Sequence, residues 1–399
     1  MPQPWFRSLF CIASAAVAVA SCSAPESSTA QHGSGGSVEV AAPADLSAAA
    51  VLRAVYSKSS AEWPAATVDE GVAYVELGPI EKHVLPKDDA GKARIELGRA
   101  LFFDPRLSGT GQMACASCHD ADLGWADGRT TSFGHAFKQL RRNAPSILNA
   151  GLLPRLFWDG RAASLEDQAL MVFENADEMH NNAAVIQQVV AQSKGYRERF
   201  AIAFGDDAVT LPRILSSIAA FEDTVRSDGS SAFDKFLAGD QAAMSDEAIT
   251  GLHLFRTKAR CANCHNGPLL TDLSFHDLGL SYYGRELEDL GRYRVTHEAA
   301  DVGKFKTPSL RNVTRTAPYM HNGLFDLDGV VNMYSAGMST LRRKPGQEND
   351  PLFPTKSPLL KKLDLSKEEK RAVIAFLESL EERRRRMRPP ELPALGDAR

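Results

Sequence analysis

Cys115-Ala116-Ser117-Cys118-His119 and Cys261-Ala262-Asn263-Cys264-His265 are the two stretches that decide how this chain folds. Each sets two cysteines three residues apart and follows the second at once with histidine, the C-x-x-C-H attachment signature of c-type haem. The spacing has a mechanical cause. On a helical turn, residues three and four apart share a face, so both thiols reach the two vinyl groups of a porphyrin while the adjacent imidazole turns under the iron. Two covalently bound haem c groups are therefore expected. Cys115 and Cys118 hold one over His119; Cys261 and Cys264 hold the other over His265. A four-cysteine zinc site would pull the pairs together and leave both histidines unexplained, and a thioredoxin-like pair would need a βαβ context that is absent.

The two remaining cysteines, Cys11 and Cys22, belong to the leading segment. Residues 1–22 carry Arg7, an apolar run from Leu9 to Ala20, and the small residues Ala20 and Ser21, which together read as a secretory signal. The expected location is the periplasm. Val19-Ala20-Ser21-Cys22 also resembles a lipoprotein box, so two outcomes stay open: a lipid anchor on Cys22, or simple cleavage to a soluble protein. Ser23 to Ala48, rich in Ser, Ala and Gly, reads as a disordered tether, and residues 23–78 as tether plus N-terminal extension. No later stretch is apolar for the ~20 residues that a spanning helix needs. An oxidising compartment would favour disulfides among the other four cysteines. The histidine beside each pair assigns them to haem instead.

At 399 residues, 44% hydrophobic and 24% charged, the composition is that of an ordinary globular protein long enough for two domains. The formal charge of -4, with basic residues grouped only at Arg383 to Arg386 and Arg388, argues against nucleic acid as a partner. That arginine run reads as a solvated helix end complementing the helix dipole. Each haem motif follows an amphipathic stretch of similar sequence, Glu96-Leu97-Gly98-Arg99-Ala100-Leu101-Phe102-Phe103 and Ile249-Thr250-Gly251-Leu252-His253-Leu254-Phe255. Each half then closes on a helix. One runs from Leu211 to Arg226; the other opens with a capping box of Ser366 and Glu369 before Ala372, Val373, Phe376, Leu377 and Leu380. The expected fold is mainly α, with two class I cytochrome c-like domains and long loops: residues 79–228 around the first haem and 229–388 around the second, with a tail at 389–399.

From about Pro79 to Leu380 the sequence resembles the bacterial di-haem cytochrome c peroxidases and their relative MauG. The resemblance rests on Leu97 to Ser108, on Arg142-Asn143-Ala144-Pro145-Ser146, and on Phe157-Trp158-Asp159-Gly160-Arg161. It continues in Glu178-Met179-His180, in Thr307-Pro308-Ser309-Leu310-Arg311-Asn312-Val313, and in Thr316-Ala317-Pro318-Tyr319. It implies that peroxide reacts at the N-terminal haem and that electrons enter at the C-terminal one. His135 matches a histidine that occupies the sixth position of the peroxide haem until reduction releases it. Glu178 and Gln168 match the distal acid and amide. Cleaving an O–O bond needs a base for the proton of the iron-side oxygen and an acid for the leaving hydroxide, and one carboxylate can serve as both. Trp158 matches the tryptophan between the haems. Asn143, with the carbonyls of Thr316 and Pro318, matches an inter-domain calcium site of hard oxygen ligands.

The second haem also needs a sixth ligand, and Met320, Met333, Tyr334 and Met338 fall in the right loop. Alignment places Tyr334 there, as in MauG, with Met333 as the alternative to the usual methionine of peroxidases. A distal proline is replaced by Val172, and the surface tryptophan that MauG uses on its protein substrate is Ala259. Three functions follow in order. The first is reduction of hydrogen peroxide to water with electrons from a small periplasmic cytochrome c or cupredoxin. The second is MauG-like oxidation of a partner protein through a high-valent iron state, and the third is plain electron transfer. No residue favours a monomer over a homodimer.

Overall fold

The structure, a computed structural model, describes residues 48–384 and 386–394. The signal, Cys22 and almost all of the tether lie outside the described residues. Eleven α-helices occur among those described. They are α1 (Ala48–Tyr56), α2 (Asp89–Phe102), α3 (Leu165–Glu174), α4 (Ala183–Ala191), α5 (Lys194–Phe204) and α6 (Leu211–Glu222). They continue with α7 (Ala232–Leu237), α8 (Asp246–Arg256), α9 (Tyr293–Thr296), α10 (Leu327–Ser335) and α11 (Lys367–Ser379). Strands β1 (Phe275–Asp277) and β2 (Lys304–Lys306) form a short antiparallel pair with Phe275 opposite Lys306. The chain is mainly helical, as the sequence implies, and none of the described helices is long and apolar enough to cross a membrane.

Two hydrophobic clusters organise these elements. Leu97, Phe102, Phe173, Phe200, Ile214, Ile218 and Phe221 form one around α2 to α6. Phe233, Ile249, Leu252, Phe255, Phe376 and Leu380 form the other around α7, α8 and α11. Each is centred on a crossing of the helix before a haem motif with the helix that ends its half, and glycine makes both crossings close. A Cβ on Gly98 would stand 1.7 Å from the Ser217 carbonyl oxygen of α6, and one on Gly251 1.8 Å from the Ala372 carbonyl oxygen of α11. The repeated Gly in the two amphipathic stretches is thus a packing requirement. The capping box at α11 forms: Ser366 N–H donates to Glu369 Oε2 at 2.8 Å, and Glu369 N–H donates to Ser366 Oγ at 3.2 Å.

The chain ends cross over. Tyr56, Trp63 and Leu77, in the stretch expected to be an extension ahead of the first domain, are buried in the second cluster. Trp63 Nε1 donates to the Tyr56 carbonyl at 3.0 Å, and the fully buried Arg256 ion-pairs with Glu76. At the other end, Met387 and Leu392 pack on the first cluster, and Arg106 Nη1 donates to the Pro393 carbonyl at 2.9 Å. Two expectations need correction. The first-half closing helix stops at Glu222 rather than Arg226, because Asp223 to Arg226 turn away in tight hydrogen-bonded loops. The helix before the arginine run stops at Ser379, so the arginines Arg383, Arg384, Arg386 and Arg388 lie beyond its dipole, exposed, on the strand of tail that leads to the first cluster.

Arg142 ties three loops together. Its Nη1 donates to Asp159 at 2.6 Å, and its Nε and Nη2 donate to the two Asp289 oxygens at 2.7 and 2.8 Å. Burial alone would raise the Asp289 carboxyl, but the bonds and charge of Arg142 outweigh it and bring it down to about 2.

Two outcomes are expected from thermal unfolding of the holoprotein. Gly251→Ala should cost ~3 kcal/mol or more, since backbone rather than a movable side chain must yield, and an unchanged melting temperature would reject the crossing as a close one. Arg142→Leu, which strands the Asp289 carboxylate while Asp159 keeps Arg161, should cost ~3 kcal/mol or more at neutral pH. Because the Asp289 pKa is depressed, that contribution is complete above the ordinary carboxylate range and disappears as pH falls through about 2. The gap between variant and parent should narrow on acidification; a gap that widens would contradict the assignment.

Candidate active site

Both C-x-x-C-H stretches form a tight 3-10 turn, Cys115–Ser117 and Cys261–Asn263. The histidine N–H of each donates back to the first cysteine carbonyl, His119 to Cys115 at 3.1 Å and His265 to Cys261 at 2.8 Å. Local side chains hold the turns: Ala114 N–H donates to Ser117 Oγ at 3.0 Å, and Asp69 N–H donates to Asn263 Oδ1 at 2.8 Å. All four cysteines are unbridged. Burial pushes their thiols up, Cys118 to about 11 and Cys261 and Cys264 to about 12, so none acts as a ready thiolate.

The imidazoles are set for ligation. His119 Nδ1 lies 3.0 Å from the Trp125 carbonyl oxygen and His265 Nδ1 3.0 Å from that of Leu270. A carbonyl oxygen only accepts, so each Nδ1 carries the proton and each Nε2 presents a lone pair. Burial lowers the pKa of both rings and keeps them neutral. Unbridged thiols beside a neutral, oriented imidazole on an apolar cavity are the donor set a covalently attached haem requires.

The first cavity, about 830 Å³, is lined by Cys115, Cys118, His119, Gln168, Val172 and Glu178. Gln168 projects from α3, whose start is capped by Ser164 Oγ accepting from Asp167 N–H at 3.0 Å. Glu178 sits on the turn after α3, where Asn175 Nδ2 donates to its Oε1 at 2.9 Å. Burial raises the Glu178 pKa, and the Arg161 charge and the Asn175 bond offset this only in part. Glu222, at the end of α6, lines the same cavity. It is 4% exposed, its Oε2 has no hydrogen-bond partner among the described residues, and burial with the nearby Glu166 charge pushes it up to about 8. In the sequence, the only signal for Glu222 is a carboxylate closing an otherwise apolar face of Ile214, Ile218 and Phe221.

His135 is not brought to this cavity. Its ring stacks on His180 with centroids 4.2 Å apart, and its Nδ1 is buried without a partner. The loop that carries it is pinned through His135 N–H to the Asp177 carbonyl at 3.0 Å, next to Glu178. Ala136 and Phe137 there adopt left-handed backbone, φ 51 and 59, with Phe137 81% exposed. Such backbone in non-glycine residues stores strain.

The second cavity, about 260 Å³, is lined by Cys261, Cys264, His265, Ala259, Met320 and Tyr334. Tyr334 reaches it from α10, which Asp326 caps by accepting from Gly329 N–H at 2.7 Å. Met333 and Met338 do not line it. Burial raises the Tyr334 phenol, and the hydroxyl has no hydrogen-bond partner among the described residues. No Asp, Glu or Gln among the described residues lines this cavity, in contrast to the first. Ala259 is buried, so the position of the MauG surface tryptophan is not on the surface here.

Trp158 and Asn143 line both cavities. Trp158 Nε1 donates to the Asn143 carbonyl at 2.9 Å. Asn143 Nδ2 donates to the Arg129 carbonyl at 2.8 Å, which turns Oδ1 the other way, and Thr316 and Pro318 lie on the same wall of the second cavity.

Fold and site thus define a helical protein with two C-x-x-C-H centres meeting at a shared aromatic wall, only one of them, among the described residues, lined by carboxylates. The family model described as di-haem cytochrome c peroxidase matches residues 92–242. Cytochrome-c peroxidase IdrP1 of Pseudomonas sp. (strain SCT) is 36% identical over 338 residues, covering 77% of this chain and 86% of that protein. Cytochrome c551 peroxidase of Nitrosomonas europaea is 43% identical over 229 residues, 57% of this chain and 68% of that one. Among solved structures, a MauG-like protein associated with microbial copper homeostasis superposes with a TM-score of 0.66 at 31% identity, covering 79% of this chain and 96% of that one. The chain belongs to the di-haem cytochrome c peroxidase family, an oxidoreductase family whose cofactors are two haem c groups.

Proposed function

We propose that this enzyme reduces hydrogen peroxide to water at the Cys115, Cys118 and His119 centre. The electrons come from a small periplasmic cytochrome c or cupredoxin and enter at the Cys261, Cys264 and His265 centre. The observation that carries the assignment is the asymmetry of the cavities: Glu178 and Gln168 line the first, and no Asp, Glu or Gln among the described residues lines the second. When bound, haem supplies an iron that coordinates peroxide and passes electrons. Everything else is done by side chains. Glu178 Oε1 is held by Asn175, leaving Oε2 to take the proton from the iron-side oxygen and return it to the leaving hydroxide. Gln168 orients peroxide, and Trp158 in the shared wall bridges the two centres. With two electrons and two protons, one peroxide gives two waters.

The two hydrophobic clusters correspond in this reading to two cytochrome c-like domains. Asn143 Oδ1 with the Thr316 and Pro318 carbonyls would hold calcium between them. His135, now stacked on His180, would reach the peroxide iron by movement of its strained loop and leave it again on reduction. Tyr334 would supply a ligand oxygen to the second haem. That tyrosine also supports a second reading, MauG-like oxidation of a partner protein. The buried Ala259 removes one route to such a partner.

Glu178→Gln should slow peroxide turnover with a reduced small donor by ~100-fold or more if the carboxylate moves the proton; turnover at the parent rate would reject the role. Tyr334→Phe should alter the absorption and electron paramagnetic resonance of the ferric second haem, whereas Met333→Leu should leave both unchanged. The reverse pattern would transfer the ligand role to methionine.

A further inference from the structure

Lys306, the last residue of β2, lines both cavities. Its backbone N–H donates to the Trp158 carbonyl at 2.8 Å, so it stands beside the aromatic wall between the two centres. Its Nζ donates to the Arg155 carbonyl at 3.1 Å and has no carboxylate partner among the described residues. Burial is the sole influence on its acidity, and pushes it down to about 8. Other half-buried or buried arginines are paired: Arg142 lies between Asp159 and Asp289, Arg311 on Asp234, and Arg256 on Glu76. Lys306 is half-buried, so its charge is tolerable while water reaches it and becomes costly once a porphyrin fills the cavity, unless something anionic joins it. Among the described residues the second cavity offers no carboxylate, the Asp289 and Asp159 oxygens at the edge of the first are taken by Arg142, and Glu178, Glu222 and Asp177 in the first make no bond to Lys306. The anions that fit are the propionate carboxylates that each porphyrin brings.

We propose that Lys306 Nζ is the ion-pair partner of a haem propionate at the shared wall. It acts as a positioning residue that orients the porphyrin edge towards Trp158 and stabilises the reduced state of the adjacent iron. The sign follows from charge. Reduction removes one positive charge from the iron, so a nearby cation favours it, and a propionate stripped of its partner disfavours it. With one unit charge about 10 Å away at an effective dielectric of about 20, the effect on the reduced-to-oxidised ratio is roughly ten-fold or more. The inference rests on the two-haem reading.

The test uses the purified holoprotein with Lys306→Gln, which keeps a donor for the Arg155 carbonyl but removes the charge, and Lys306→Arg, which keeps the charge. Each is titrated electrochemically while the two haems are followed by absorption and the carboxylate stretches by redox-difference infrared spectroscopy. At the parent midpoint, Lys306→Gln should show a reduced-to-oxidised ratio about ten-fold lower at one haem or both, with a shifted propionate band, and Lys306→Arg should resemble the parent. Unchanged midpoints and bands in Lys306→Gln would overturn the inference, as would a loss that Lys306→Arg fails to restore. If Lys306→Gln retains fewer than two haems, retention of both by Lys306→Arg supports the charge requirement and their loss there refutes it. A parent protein without two haems would instead defeat the two-haem reading.

Discussion

The bond from an imidazole Nδ1–H to a backbone carbonyl, made by His119 to Trp125 and by His265 to Leu270, is the constraint on which both centres depend. It fixes the tautomer, leaves Nε2 as the only free donor atom, and sets the ring against the cavity. The carbonyls come from loops folded directly after each motif, so orientation of the ligand is a local property of the chain. What lies on the far side of each cavity is not local, and there the two centres diverge.

That divergence divides the chemistry. The first cavity is lined by Glu178, Gln168 and the buried Glu222, whose pKa is pushed up to about 8, while the second is smaller, mostly apolar and lined by Tyr334. A phenolate ligand favours ferric and higher iron states, whereas a thioether favours the ferrous one. Among the described residues, carboxylates line one cavity only, which in the proposed reading keeps proton transfer at one centre and leaves the other to exchange electrons. Trp158, Asn143 and Lys306 form the wall that the two cavities share.

Much of this was legible in the sequence because it is encoded by short-range spacing. The two C-x-x-C-H turns and the Ser366 capping box depend on neighbours within four residues, and the Gly98 and Gly251 stretches show as one pattern repeated, though the helices they pack against lie far along the chain. Family motifs extended the reading to Glu178, Gln168 and Tyr334, and the structure brings all three to the expected cavities. What could not be read depends on distant parts of the chain. Tyr56 and Trp63 join a core built from residues almost two hundred positions away, and Met387 and Leu392 join the opposite core. Glu222 looked like an ordinary helix-end charge, and only the packing of α6 against the cavity leaves it buried and alone. His135 matches a ligand by its position in sequence, and the loop conformation that stacks its ring on His180 could not be read from that match.

The central claim is that two porphyrins are held covalently, each over one imidazole. Its most direct measurement is the pyridine haemochrome content of the purified, acid-acetone-extracted chain, compared with single Cys115→Ala/Cys118→Ala and Cys261→Ala/Cys264→Ala double variants. The account predicts two non-extractable haems per parent chain and one in each variant. Fewer than two in the parent, or a variant that keeps both, would contradict it.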